Sequence, residues 1–265
     1  MIEEIRTIVD KAYSDVLMYI AKNYPNDFIP LIAKGEYIEH SVEGISKYML
    51  DYMGDIYRDT TRQKFYVTYL NKNYAKEGFH YVNSEEGFFD LNIEIMIFSQ
   101  IWESTFFLKY LARITAIISG KGYLWNLEIP TKRLHEFIQD SIIFPLIKYG
   151  FKLGALLQGN YNSIVRNAFA HSQYDIDMER QKITFVHLLG KKEPQREELS
   201  FDDFQEKFLY GIILDNFCSL WMQQMGKNYL KNNYTDLGEV ELPNGKFVHI
   251  KVKERFGVPY YYTVE

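Results

Sequence analysis

The stretch LNIEIMIFSQIWESTFFLKYLARITAIIS, residues 91–119, constrains the fold more than any other part of the chain. So long an apolar run must be removed from water, either in a bilayer or in a protein interior. Glu94, Glu103, Lys109 and Arg113 interrupt it, and a charge at mid-membrane costs about 2.5–3.5 kcal/mol each. The interior is therefore the expected destination. The spacing predicts one long helix from Leu91 to Ser119, buried on most sides, against which the rest of the chain packs.

Other segments read as partners for that helix. Ile5, Ile8, Val9, Ala12, Val16, Tyr19 and Ile20 repeat at helical spacing and predict a helix over 3–23, ended by Pro25 and Asn26. Further helices are expected at Ile38–Ile56 and Thr61–Tyr74, with EEGFFD (85–90) as a junction. The GKG at 120–122 is a turn; it lacks the upstream glycine and the following Ser or Thr of a phosphate loop. A helical stretch runs from Thr131 towards Leu157, kinked at Pro145 and loosened by Gly150 and Gly154. KITFVHLL (182–189) predicts a strand, and Ser200 with Asp203 predicts the capped start of a helix reaching about Tyr229. VELPNGKFVHIKVK predicts a hairpin turning at Asn244-Gly245, with PYYYTV available as a third strand.

Charge divides the chain. Residues 1–90 hold fifteen acidic against ten basic side chains, whereas residues 91–178 are close to neutral. This predicts a separate acidic N-terminal helical region and argues against a broadly polyanion-binding surface. The single cysteine, Cys218, lies in an apolar helical stretch and reads as a core residue; one cysteine excludes an internal disulfide and fits a cytoplasmic setting. The acidic, amphipathic MIEEIRTIVDK does not read as a signal peptide. The six histidines are scattered without metal-ligand spacing, so neither a metal nor a cofactor is expected.

The segment IVRNAFAHSQYDID (164–177) carries the chemistry. At 100° per residue, Tyr161, Ile164, Ala168 and Phe169 gather around Val165 within an arc of roughly 140°, a core face. The opposite arc holds Ser163, Arg166, Asn167, Ala170 and His171. That polar strip places a permanent cation and a proton carrier at its two edges, with a small residue between them. Histidine suits proton transfer near neutral pH, and arginine suits phosphate binding and the charge that builds at phosphorus. The same residues also fit a plain structural role, with histidine capping carbonyls and arginine pairing with a carboxylate. Glu103, inside the predicted helix, is a candidate partner for Arg166, since a carboxylate there is expensive unless paired. Tyr174 is a further candidate contact to a base or phosphate, with packing as the alternative.

Arg166-Asn167-x-x-Ala170-His171 resembles the signature of the HEPN superfamily, an arginine followed after four to six residues by a histidine, often with a polar residue after the arginine. The order of elements is similar too: a long helix, the motif at the end of a later helix, a hairpin-like insert and another helix. The resemblance covers roughly Phe88 to Tyr229. It implies a mainly α fold, a helical bundle over 88–230 with a β insert near 181–199, flanked by the acidic region at 1–87 and a C-terminal β-hairpin extension at 231–265. It also implies a homodimer in which two motif helices face each other, and metal-independent cleavage of RNA, with Arg166, Asn167 and His171 as the catalytic residues and Glu103 and Tyr174 in support. Active members serve in toxin–antitoxin and antiviral systems, so an antitoxin or defence partner is implied as well. The alternative within the family is a non-catalytic scaffold or nucleotide-binding module; outside it, the motif is a coincidence. One position departs from the branch paired with nucleotidyltransferase antitoxins. That branch has a tyrosine two residues after the histidine, where this chain has Gln173 and places its tyrosine at 174.

Overall fold

The computed structural model describes residues 1–37, 48–49, 56–74, 84–187, 195–232, 234–255 and 258–264. The fold is mainly helical with small antiparallel sheets. In chain order the elements are α1 (Ile2–Asn23), α2 (Pro25–Ile32), β1 (Glu36–Tyr37), β2 (Tyr48–Met49), α3 (Ile56–Asn73), α4 (Glu85–Ile101) and α5 (Thr105–Ile118). Next come α6 (Leu134–Phe137), a π-helical segment at Ile138–Ile143, α7 (Phe144–Lys148), α8 (Lys152–Asn160) and α9 (Ser163–Ala170). Strands β3 (Tyr174–Asp177), β4 (Lys182–His187) and β5 (Gln195–Ser200) precede α10 (Phe201–Lys231), and β6 (Asp236–Glu241), β7 (Phe247–Arg255) and β8 (Val258–Val264) close the chain. Among the described residues no helix is long and apolar enough to cross a membrane.

Several boundaries differ from the sequence reading, each for a local reason. The run 91–119 is two helices. The chain turns at Trp102–Ser104, where Trp102 is fully buried and Glu103 is exposed; apolar spacing passes smoothly through a turn whose ring points inward. EEGFFD is the first turn of α4 rather than a junction. Ser84 Oγ accepts the Gly87 N–H at 3.2 Å, and Glu85 and Glu86 face the positive end of the helix dipole. Most of the expected helix at 38–56 lies outside the described residues; of it, Tyr48–Met49 form a strand paired with Glu36–Tyr37. At Pro145 the helix changes type, from the π-helical segment to α7. Pro145 lacks the N–H that would bond the Ser141 carbonyl, and the chain instead widens into the π-helical segment while Thr115 Oγ donates to that carbonyl at 2.7 Å. Gly154 serves close packing: a Cβ there would lie 2.7 Å from the Ile147 nitrogen.

The chain forms two compact units, each assembled from three segments. The first comprises residues 1–9, 60–104 and 156–216. Its core is a chain of rings. Phe208 meets Tyr69, Tyr74 and Phe204; Phe204 meets Phe98 and Phe185; and Phe98 leads through Trp102 to Tyr161, with centroid separations of 4.9–6.4 Å. The Glu94 carboxylate lies fully inside and accepts the hydroxyls of Tyr74 at 2.6 Å and Tyr69 at 3.2 Å. Antiparallel β3, β4 and β5 form this unit's sheet. Ser200 caps α10 as predicted, accepting the Asp203 N–H at 3.0 Å.

The second unit comprises residues 10–59, 105–155 and 217–265. Helix α5 is its most buried element. Arg113 on α5 is fully buried; it donates to Glu36 and to the Leu124 and Trp125 carbonyls, and Lys109 donates to the same Glu36 oxygen at 2.6 Å. Cys218 is a core residue as expected, in contact with the Tyr13 hydroxyl. The C-terminal hairpin turns at Gly245, φ +77°, and β8 completes a three-stranded sheet in the order β6-β7-β8.

Candidate functional site

Helix α9 is short, and both of its ends are fastened. At the start, Asn162 Oδ1 accepts the N–H groups of Ile164 at 2.9 Å and Val165 at 3.1 Å, the N-cap geometry its residue type favours. Its Nδ2 donates to Glu197 on β5 at 2.6 Å, so one side chain both caps the helix and ties it to the sheet. At the finish, Ser172 adopts the left-handed conformation, φ +53°. The Gln173 N–H then reaches back to the Ala168 carbonyl at 2.7 Å and the Ser172 N–H to Phe169 at 3.0 Å. This is a Schellman closure with serine where glycine is usual. Gln173 also accepts the Val186 N–H, which passes the chain directly into the β3–β4 pair.

Between these anchors Val165 and Ala168 are buried, while Ala170 and His171 are exposed, in keeping with the predicted two-faced helix. The helix packs on α4 and β4. His171 caps its C-terminal end, with its N–H on the Asn167 carbonyl at 3.1 Å, and its ring makes no hydrogen bond among the described residues. Arg166 folds over its neighbour: Nε and Nη2 donate to Asn167 Oδ1 at 3.1 and 2.6 Å. One edge of the guanidinium is thereby fixed, and Nη1 has no hydrogen-bond acceptor among the described residues. The Tyr161 hydroxyl senses the same cation. Burial pushes its pKa up to about 12, and the charge of Arg166 opposes that rise.

The two supporting candidates behave differently. Glu103 does not pair with Arg166. It sits exposed in the turn between α4 and α5, and that exposure removes the reason for expecting a partner. Tyr174 is half-buried and engaged by its neighbours. Its hydroxyl donates to Asn92 Oδ1 on α4 at 2.7 Å, and its ring stacks on Phe169 at 6.2 Å and tilts against Phe185. Burial raises its pKa. Asn162 and Ser172 were missed in the sequence. An asparagine just before an apolar run is a recognised cap signal; a serine in a left-handed position has no comparable mark. Among the described residues no group of three or more His, Cys, Asp or Glu side chains is arranged to hold a metal ion.

Chemically, the helix offers a cation with one engaged edge and an imidazole facing solvent, presented from a backbone held at both ends. A single copy supplies one of each. No family model, no curated protein and no solved structure matches the chain.

Proposed function

We propose that the chain is a HEPN-type endoribonuclease that cleaves RNA without a metal, by attack of the RNA's own 2′-hydroxyl on the adjacent phosphorus. The observation that carries the reading is the pair Arg166 and His171 on one short helix, with Asn167 orienting the arginine and the imidazole open to solvent. In this mechanism His171 takes the 2′-hydroxyl proton or returns a proton to the departing 5′-oxygen. Arg166 binds the phosphoryl oxygens through its unengaged edge as charge builds there. Asn167 is a positioning residue. Two copies apposed at α9 would put two histidines and two arginines in one cleft, so a homodimer belongs to the proposal, as does a role in defence or toxin–antitoxin biology.

The alternative is a non-catalytic scaffold. It is favoured by the engagement of Arg166 with its own neighbour, which a packing role explains equally well. The two readings separate in a single assay, with single-stranded RNA incubated with purified protein in EDTA. The enzyme predicts cleavage by the wild type, a loss of about 10²-fold or more in His171→Ala, and a comparable loss in Arg166→Ala. Circular dichroism should be unchanged in both variants, because neither side chain is buried. Intact RNA with the wild-type dimer supports the scaffold; an undiminished rate in His171→Ala contradicts the proposed chemistry.

A further inference from the structure

The second unit contains a cavity of about 520 Å³ that plays no part in the ribonuclease reading. Its volume falls in the range of roughly 300–1,000 Å³ that holds small molecules. Its walls combine three rings, Tyr123, Trp125 and Phe247, with three carboxylates, Asp27, Glu239 and Glu241, and among the described residues no Lys, Arg or His lines it.

Two of the rings, Tyr123 and Trp125, are held in place, while Phe247 is exposed. Trp125 packs so closely on Gly35 that a Cβ there would stand 2.5 Å from the indole. Tyr123 meets Trp125 edge-on at 5.2 Å, and its hydroxyl donates to the Gly35 carbonyl at 2.6 Å. The carboxylates are lightly engaged. Among the described residues Asp27 accepts only the Tyr123 N–H, at 2.8 Å. The His249 imidazole stands 3.8 Å from Glu239, and Glu241 has no ion-pair partner among the described residues. Behind the wall, Arg113 lies 5.0 Å from the Tyr123 ring, and it shares Glu36 with Lys109. That group carries one net positive charge, and near Glu239 Lys251 pairs with Asp236, against three carboxylates on the lining.

We propose that this cavity binds an organic polycation of the aliphatic polyamine class. Aromatic faces attract ammonium groups, and carboxylates supply charge-assisted acceptors for their N–H donors. The carboxylates are not gathered closely enough to hold a metal ion. Spread around a cavity of this size, they suit a ligand whose charges are themselves spaced along a chain, and one arginine or lysine side chain would bring a single charge.

The test is titration calorimetry of the full chain with spermidine, in the absence of RNA, so that the result is independent of Arg166 and His171. The expected result is saturable one-to-one binding that weakens with added salt. In Glu239→Gln/Glu241→Gln, whose positions are both exposed, affinity should fall about tenfold or more, the scale of losing hydrogen bonds to charged groups. Non-saturable heats in the wild type would overturn the proposal, as would equal affinity in the double variant. An arginine-rich peptide run in parallel distinguishes the source of the cation; binding of the peptide with no response to spermidine would also overturn it.

Discussion

At the scale of single residues, the position after the candidate histidine is the most informative. Ser172 holds a left-handed backbone at φ +53° without being glycine, a conformation that costs an L-residue about 1–2 kcal/mol. The Schellman closure depends on it, and so does the abrupt passage from α9 into β3. Ser172→Gly relieves that cost while adding freedom to the unfolded chain. The net expectation is a gain of up to about 1 kcal/mol, read as a higher urea midpoint. A lower midpoint would show that the serine side chain itself stabilises the turn. The strained position fixes where His171 leaves the helix. Neither the strain nor the double role of Asn162 could be read from residue type, because both depend on which strand the helix end meets.

At the scale of elements, the buried ionic group of the second unit makes the sharpest claim. Glu36 is shared by Arg113, which is fully buried, and Lys109. Removing one partner of such a group leaves an uncompensated interior charge, at a cost of about 3–5 kcal/mol. Glu36→Ala should lose that much in urea denaturation, and a loss below about 1 kcal/mol would mean that water reaches Arg113. The sequence showed part of this. Helix α1, the start of α10 and the C-terminal hairpin were legible because cap, turn and apolar period agree at each. The break at Trp102–Ser104 was not, because a buried Trp102 continues the apolar pattern through a turn. The sense of Lys109 and Arg113 was half visible: as charges they excluded a membrane span, but Glu36, their partner, lies more than seventy positions away in sequence. The motif Arg166-Asn167-His171 was legible as a polar strip on one short helix. The Arg166–Asn167 contact was not, since adjacent helical positions do not normally face each other.

At the scale of the whole molecule, the tyrosines set an alkaline limit on stability. Burial raises the hydroxyls of Tyr123 and Tyr161 to about 12 from the ordinary 10.0. For Tyr123 the charge of Arg113 partly offsets that rise, and for Tyr161 the charge of Arg166 does. A raised pKa contributes stability that is complete below pH 10 and is lost as pH climbs towards 12. Tyrosinate absorbance should therefore lag behind that of free tyrosine and then rise together with unfolding in that window. A smooth titration centred near pH 10 with the fold intact would contradict the burial of these rings.

The central claim is that the RNA supplies the nucleophile to a site built from Arg166 and His171. It is tested most directly with an oligonucleotide that is 2′-O-methylated at every position except one, incubated with the wild type in EDTA. The account predicts a single cut, 3′ to the one free 2′-hydroxyl, leaving a 2′,3′-cyclic phosphate and a 5′-hydroxyl. Cleavage at methylated linkages, or a cut at the ribose that leaves a 5′-phosphate, would contradict it.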